Sequence, residues 1–268
     1  MNELQKKEFE ILECFVKICN ALNLKYFLVC GSALGAVKYK GFIPWDDDVD
    51  VALFREDYEV FLCEAPKMLP NNFFLQNYKS DPEFPAIYSK LRNSDTTYIE
   101  RSASNLNINH GIYIDVFPLD GYPKGRLKRA VFELRKKIYK SLLSASFLHD
   151  SKLKKCLFLP FRAIGIHKKS NKIAESYEKM IIKYSVSASD IVTNHGNWQG
   201  KLDYTDKKIF SNGRDAIFEG LHVIIPYQYN AYLEKKYGDY RKDPPLSQQV
   251  GHHYYTEIDC CHSFKEKI

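Results

Sequence analysis

The stretch Trp45-Asp46-Asp47-Asp48-Val49-Asp50-Val51 constrains this chain more than any other, because four carboxylates crowd together while hydrophobic residues flank and interleave them. A solvated acidic turn has no need of such neighbours. Read as a half-buried strand from Asp48 to Leu53, the alternation puts Asp48 and Asp50 on one face and packs Val49 and Val51 behind them. Two carboxylates so close must share a proton or a cation, and Mg²⁺ (or Mn²⁺) is the oxygen-seeking ion that also keeps substrate phosphates. A calcium loop would require Gly and Glu where this chain has Val51 and Asp57. A third carboxylate, Asp115, stands alone in the apolar run Ile112 to Phe117. There it is either a buried Asp bonded to backbone or a third ligand.

The elements around these acids follow from periodicity. Ile11, Leu12, Phe15, Ile18, Cys19 and Leu22 predict an amphipathic opening helix that ends near Asn23. Tyr26 to Cys30 reads as a buried strand, Gly31-Ser32 as a strand-to-helix turn, and Ser32 to Lys38 as a short helix. A helix through Tyr58, Phe61 and Leu62 precedes short strands from Phe73 to Tyr98 and a strand from Ile112 to Phe117. Helices then follow over Arg126 to Leu143, over Ile173 to Tyr184, and after Pro226 up to Gly238. The predicted class is α+β (mixed α/β), a mixed sheet flanked by helices, in one domain spanning residues 1–268 with a basic helical insertion at 122–185.

Composition narrows the function. The first residues carry Glu3, Lys6, Lys7 and Glu8 with no apolar core, and no window reaches the roughly 20 apolar residues of a spanning helix. The expected compartment is cytoplasmic. Seven cysteines form no C-x-x-C pair and read as reduced thiols. The net charge of +6 conceals a segment, Tyr122 to Lys172, with fifteen Lys or Arg against Glu133 and Asp150, which leaves the rest of the chain net acidic. With no recognised binding motif, that charge does not make a nucleic-acid-binding protein.

The order strand, Gly-Ser, helix, D-x-D strand, later Asp strand resembles the nucleotidyltransferase fold of the DNA polymerase beta type. The string from Cys30 through Gly41-Phe42-Ile43-Pro44-Trp45-Asp46-Asp47-Asp48-Val49-Asp50 is similar to the LicD family, which includes bacterial phosphorylcholine transferases and animal fukutin-related ribitol-phosphate transferases. The likeness continues through Lys90-Leu91-Arg92, Gly111 to Asp120, Tyr237-Gly238-Asp239-Tyr240 and Pro244-Pro245. It implies transfer of phosphocholine or a polyol phosphate from a CDP-alcohol donor to a glycan or lipid-linked glycan hydroxyl, with release of CMP. It also implies a metal held by Asp48, Asp50 and Asp115, and donor phosphate held at Gly31 and Ser32.

Asp46 and Asp47 are the candidate bases, though either could hold the turn or a second metal. Lys90, Arg92 and Lys38 are equally readable as phosphate contacts or as solvated surface bases. His252 and His253 follow a turn-rich segment that could fold back over the site, but no third ligand at zinc spacing accompanies them. A nucleotide-sugar glycosyltransferase also uses a D-x-D, but after a longer nucleotide-binding region than the 45 residues available here; a non-catalytic membrane-surface module would be expected to have lost a carboxylate. In the basic segment, Leu127, Val131, Leu134, Ile138 and Leu142 fall at helical spacing, and a second apolar patch runs from Leu157 to Phe161. Two readings stand: a lid helix packing these residues on the core, or a peripheral contact with an anionic membrane at its inner face.

Overall fold

Helix α1 (Glu3–Ala21) starts where Asn2 and Gln5 cap each other: the Asn2 side chain accepts from the Gln5 N–H at 2.8 Å and the Gln5 side chain from the Asn2 N–H at 3.0 Å. Its apolar face, Ile11, Leu12, Phe15, Ile18 and Cys19, is buried, and Asn23 ends it in the left-handed conformation. The computed structural model describes residues 1–148, 158, 160, 165–196, 200–251 and 253–267. His252 and most of the Leu157 to Phe161 patch lie outside them.

The sheet that carries the acids is mixed. Strands β1 (Tyr26–Leu28), β2 (Asp50–Phe54), β6 (Ile112–Gly121), β4 (Ser89–Asn93) and β3 (Phe73–Gln76) lie side by side in that order. Only the β2–β6 pair in this row is parallel. Between β1 and β2 the chain forms α2 (Cys30–Lys38), and β2 runs directly into α3 (Arg55–Glu64). The strand expected to reach Cys30 stops at Leu28, because Cys30 adopts a positive φ of 49° that turns the chain into α2. The strand expected from Asp48 begins at Asp50, with Asp48 in the extended approach to it.

β6 runs beyond its expected end at Phe117 and contains Pro118. Its Asp115 N–H donates to Val49 O, on the β2 side, so strand alternation turns Pro118 to the other edge. There β4 has ended its pairing at Val116 and β7 (Ile191–Thr193) begins at Asp120. The missing N–H therefore falls in a gap. β8 (Thr205–Asp206) extends this edge.

β5 (Thr97–Glu100) pairs with β11 (Tyr255–Asp259) outside the main sheet, and β9 (Arg214–Phe218) with β10 (Leu221–Ile225) makes a hairpin. Arg55 ties α3 to β6 through both carboxylate oxygens of Asp120 at 2.7 and 2.8 Å. It also reaches Glu178 on α5 (Ser170–Ile181) at 2.9 Å. A buried fork of this kind holds three elements in one geometry, and Asp120 has this structural partner rather than a place at the acid cluster. Helix α4 (Arg126–Ser144) packs on α5 through Phe132 and Leu143. The last helix, α6 (Tyr229–Tyr237), leans on α2 and ends at Gly238 with φ 68°.

Candidate active site

The register of β2, β6 and β4 aligns three ionic side chains across the sheet. Asp50 stands opposite Asp115, and Asp115 opposite Lys90. Directly paired residues share a face, so the three form one row. Asp50 and Asp115, with Asp46 and Asp48 from the preceding loop, line one cleft of about 1000 Å³. The sequence expected Asp48, Asp50 and Asp115 to meet, and the structure brings them into this cleft together.

The acids are crowded and largely buried. Burial first, then the neighbouring carboxylates, pushes the pKa of Asp46 up and that of Asp50 well up. Burial also raises Asp48 and Asp115, against the pull of His253 on the one and Lys90 on the other. One buried oxygen of Asp115 has no hydrogen-bond partner, and Lys90 Nζ stands 3.5 Å from it. Several buried carboxylates that repel one another, with a single ammonium beside them, are the donor set that a hard divalent cation completes, so these residues fit Mg²⁺ or Mn²⁺.

Asp47 turns another way. Its carboxylate accepts from the backbone N–H of His253 at 3.0 Å and meets the His253 ring at 3.2 Å. His253 also stands 3.9 Å from Asp48. Asp47, Asp48 and His253 thus bring three potential metal-ligand atoms within 4.8 Å of one another. The fold-back of His253 over the site was open in the sequence, but its pairing with Asp47 and Asp48 was not, since paired histidines near a turn carry no specific spacing signal.

The Gly-Ser turn clamps the acidic loop. A Cβ on Gly31 would lie 2.7 Å from Asp46 Oδ2, so glycine is needed for the backbone and the carboxylate to touch. Ser32 Oγ accepts from the Asp50 N–H at 2.8 Å, and Val29 N donates to Asp50 O at 3.0 Å. The first turn of α2 opens on the cleft, which Cys30 and Gly31 line, and helix N-termini suit phosphate.

The basic residues separate into two kinds. Lys38 lines the cleft, bonded to Asp243 at 2.6 Å. Arg92 is fully buried: it donates to Gln76 and to the Gly111 carbonyl at 2.6 Å each, and to Glu100 at 3.3 Å. It is not a solvated base, and its guanidinium is consumed by the protein interior rather than turned to donor phosphate. Lys90 is 3% exposed, bonded to both Glu100 oxygens at 3.1 Å and lying over the Tyr113 ring. It balances charge beneath Asp115. Glu100, which sequence reasoning passed over, has its pKa brought to about 2 because Lys90 and Arg92 overcome the opposing effect of burial.

The far wall comes from the C-terminal third. The strap at 239–251, with His253 beyond it, folds back across the cleft, fixed to Tyr39 and Lys38 through Asp243 and to Asp47 through His253. Gly251 presses on this second anchor, where a Cβ would stand 2.4 Å from Asp47 Oδ2. Aromatic rings of Trp45, Tyr88, Phe117 and Tyr237 complete the lining. Tyr254 and Tyr255 are exposed and outside it. Behind the acids, burial first and then the nearby Asp48, Asp46 and Asp47 push the pKa of buried Glu8 of α1 well above the usual carboxylate range.

Comparison with known proteins agrees with this geometry. The pattern of the LicD/FKTN/FKRP nucleotidyltransferase domain matches residues 23–161, just over half of the chain. The lipopolysaccharide cholinephosphotransferase LicD of Haemophilus influenzae (strain Rd) is 26% identical over 262 residues, which cover 94% of this chain and 96% of that protein. Uncharacterized proteins of Rickettsia prowazekii and Rickettsia typhi are each 49% identical over 35 residues, 13% of this chain and 13% or 11% of theirs.

Proposed function

The chain belongs to the LicD family, and from that premise we propose that it is a phosphotransferase moving phosphocholine from a CDP-choline donor to a hydroxyl of a glycan, with release of CMP. The observation that carries this reading is the row of Asp50 and Asp115 beside Asp48, which shares one cleft with the open first turn of α2. The H. influenzae relative, named for phosphocholine transfer to lipopolysaccharide, supports the choice of group and acceptor class.

Asp48, Asp50 and Asp115 would hold a divalent cation, which when bound supplies neutralisation of the charge that grows on the phosphoryl oxygens. The N–H groups at the start of α2 and the ammonium of Lys38 bind and orient the diphosphate. Asp46, which lines the cleft and touches Gly31, takes the proton from the acceptor hydroxyl. That oxygen bonds to the phosphorus next to choline as the bridging P–O bond breaks and CMP leaves. Asp47 is occupied by His253 and holds the strap rather than the proton. The faces of Trp45, Tyr88 and Tyr237 suit a trimethylammonium head, which an aromatic surface attracts without hydrogen bonds.

CMP release from CDP-choline, CDP-ribitol and CDP-glycerol, measured beside UDP release from a UDP-sugar, tests this. CDP-choline is expected to be the preferred donor. Preference for a polyol donor would remove the choline assignment, and preference for the UDP-sugar would make the protein a glycosyltransferase.

A further inference from the structure

Helix α4 has two apolar sides, and the fold uses one. Phe132 and Leu143 are buried against the neighbouring helix, with Tyr139 stacked on Tyr177 at 5.3 Å. On the opposite side Leu127, Val131, Leu134 and Ile138 are 79, 50, 62 and 52% exposed. At 3.6 residues per turn these four fall within an arc of about 60° and make a stripe about 16 Å long. A surface helix ordinarily turns such a stripe inward and carries polar residues outward. The lid reading, in which these residues pack on the core, is therefore corrected.

The charges around the stripe identify what covers it. Arg126 and Lys137 border it on one side, Lys128 and Arg135 on the other, and all four are exposed. The one acid in the helix sequence, Glu133, is turned away and bonded to the Tyr204 hydroxyl. Of the three remaining bases, Arg129 donates to the Pro123 carbonyl at 2.8 Å, Lys136 is buried on Tyr204 at 2.9 Å, and half-buried Lys140 lies on the side away from the stripe. An apolar ridge flanked on both sides by cations, with no exposed carboxylate on the helix, complements a plane that is apolar within and anionic at its surface.

We propose that α4 docks this protein on an anionic lipid bilayer, lying in the interface with Leu127, Val131, Leu134 and Ile138 at the acyl boundary and Arg126, Lys128, Arg135 and Lys137 among the headgroup phosphates. No helix among the described residues is long and apolar enough to cross a membrane, so the contact is peripheral. It does not depend on which group the cleft transfers.

The test is co-sedimentation of the full chain with vesicles of phosphatidylcholine alone or with about 30% phosphatidylglycerol, at low and high salt. The wild type is expected to bind the anionic vesicles and to lose at least tenfold in partitioning at high salt. Leu134→Gln with Ile138→Gln should weaken binding at least tenfold. Replacing Arg126, Lys128, Arg135 and Lys137 together by Gln should weaken it about a hundredfold or more, since each basic residue near the surface contributes about fivefold. All six positions are exposed, so circular dichroism and melting of both variants should match the wild type. No binding by the wild type, equal binding to neutral vesicles, or unchanged binding in either folded variant would overturn the proposal. So would a solution dimer that Leu134→Gln dissociates, which would assign the stripe to self-association.

Discussion

At the scale of single residues, the contact between Gly31 and Asp46 has the sharpest consequence. A methyl group at Gly31 cannot coexist with Asp46 Oδ2 at 2.7 Å, so Gly31→Ala must move the carboxylate or the first turn of α2. A displacement of about 1 Å in a reacting group costs on the order of a hundredfold in rate. Gly31→Ala is therefore expected to lower CMP release about a hundredfold while shifting Tm by only a few degrees, and near wild-type turnover would mean that Asp46 does not need its place. The glycine was legible in the sequence as a position for close backbone approach, but its partner was not. Nothing in the order of residues says that Asp46 turns to Gly31 while Asp47 turns to His253, because that choice is made at the end of the strap, some 200 residues further on. Arg92 escaped for the same kind of reason: i, i+2 spacing with Lys90 shows a shared strand face, and only the packing of Gln76, Gly111 and Glu100 closes that face over it.

At the scale of elements, periodicity located the helices better than it oriented them. The expected limits of α4, Arg126 to Leu143, fall within one residue of the observed ones. Its inward face, however, holds Phe132, Lys136 and Leu143, and leaves Leu127, Val131 and Leu134 in solvent. A helix with apolar residues on two sides cannot declare which one the fold will bury, and Lys136 is admitted because its stem is apolar and its amine finds Tyr204. The strap behaves as an element of its own with two unequal anchors. The pair of Lys38 with Asp243 is partly exposed, so Asp243→Ala should raise the donor KM by less than about fivefold with kcat unchanged. Gly251→Val, which drives a side chain into Asp47, should raise it tenfold or more. Equal effects of the two substitutions in steady-state kinetics would contradict this division.

At the scale of the whole molecule, the sheet and the helical layer beside it meet at a buried histidine. His195 is fully buried among Phe132, Tyr122 and Tyr204, with one ring nitrogen 3.3 Å from the Gly121 carbonyl and the other without a hydrogen-bond partner. Burial, then nearby Lys136, holds its pKa well below 6.5. The unfolded chain takes up a proton near pH 6.5 that the folded chain refuses, so stability is full above that pH and falls as pH drops below it, by up to about 1.4 kcal/mol per unit. Denaturant unfolding between pH 7.5 and 5 should show this loss in the wild type and a smaller one in His195→Phe; parallel profiles would remove His195 as its source. The mixed α/β class and the order of strands around the acids could be read from the chain. The pairing of β5 with β11 could not, because it joins segments with no local signal in common, and the fold-back of the C-terminal third over the cleft was legible without its anchors at Asp47 and Lys38.

The central claim is that Asp48, Asp50 and Asp115 serve one divalent cation in phosphocholine transfer, and CMP release from CDP-choline by the three Asp→Asn variants, with and without EDTA, tests it most directly. Each variant is expected to fold and to lose about a thousandfold or more in turnover, and EDTA should silence the wild type until Mg²⁺ or Mn²⁺ is restored. Near wild-type turnover in any one variant, or full activity in EDTA, would contradict the shared-metal site.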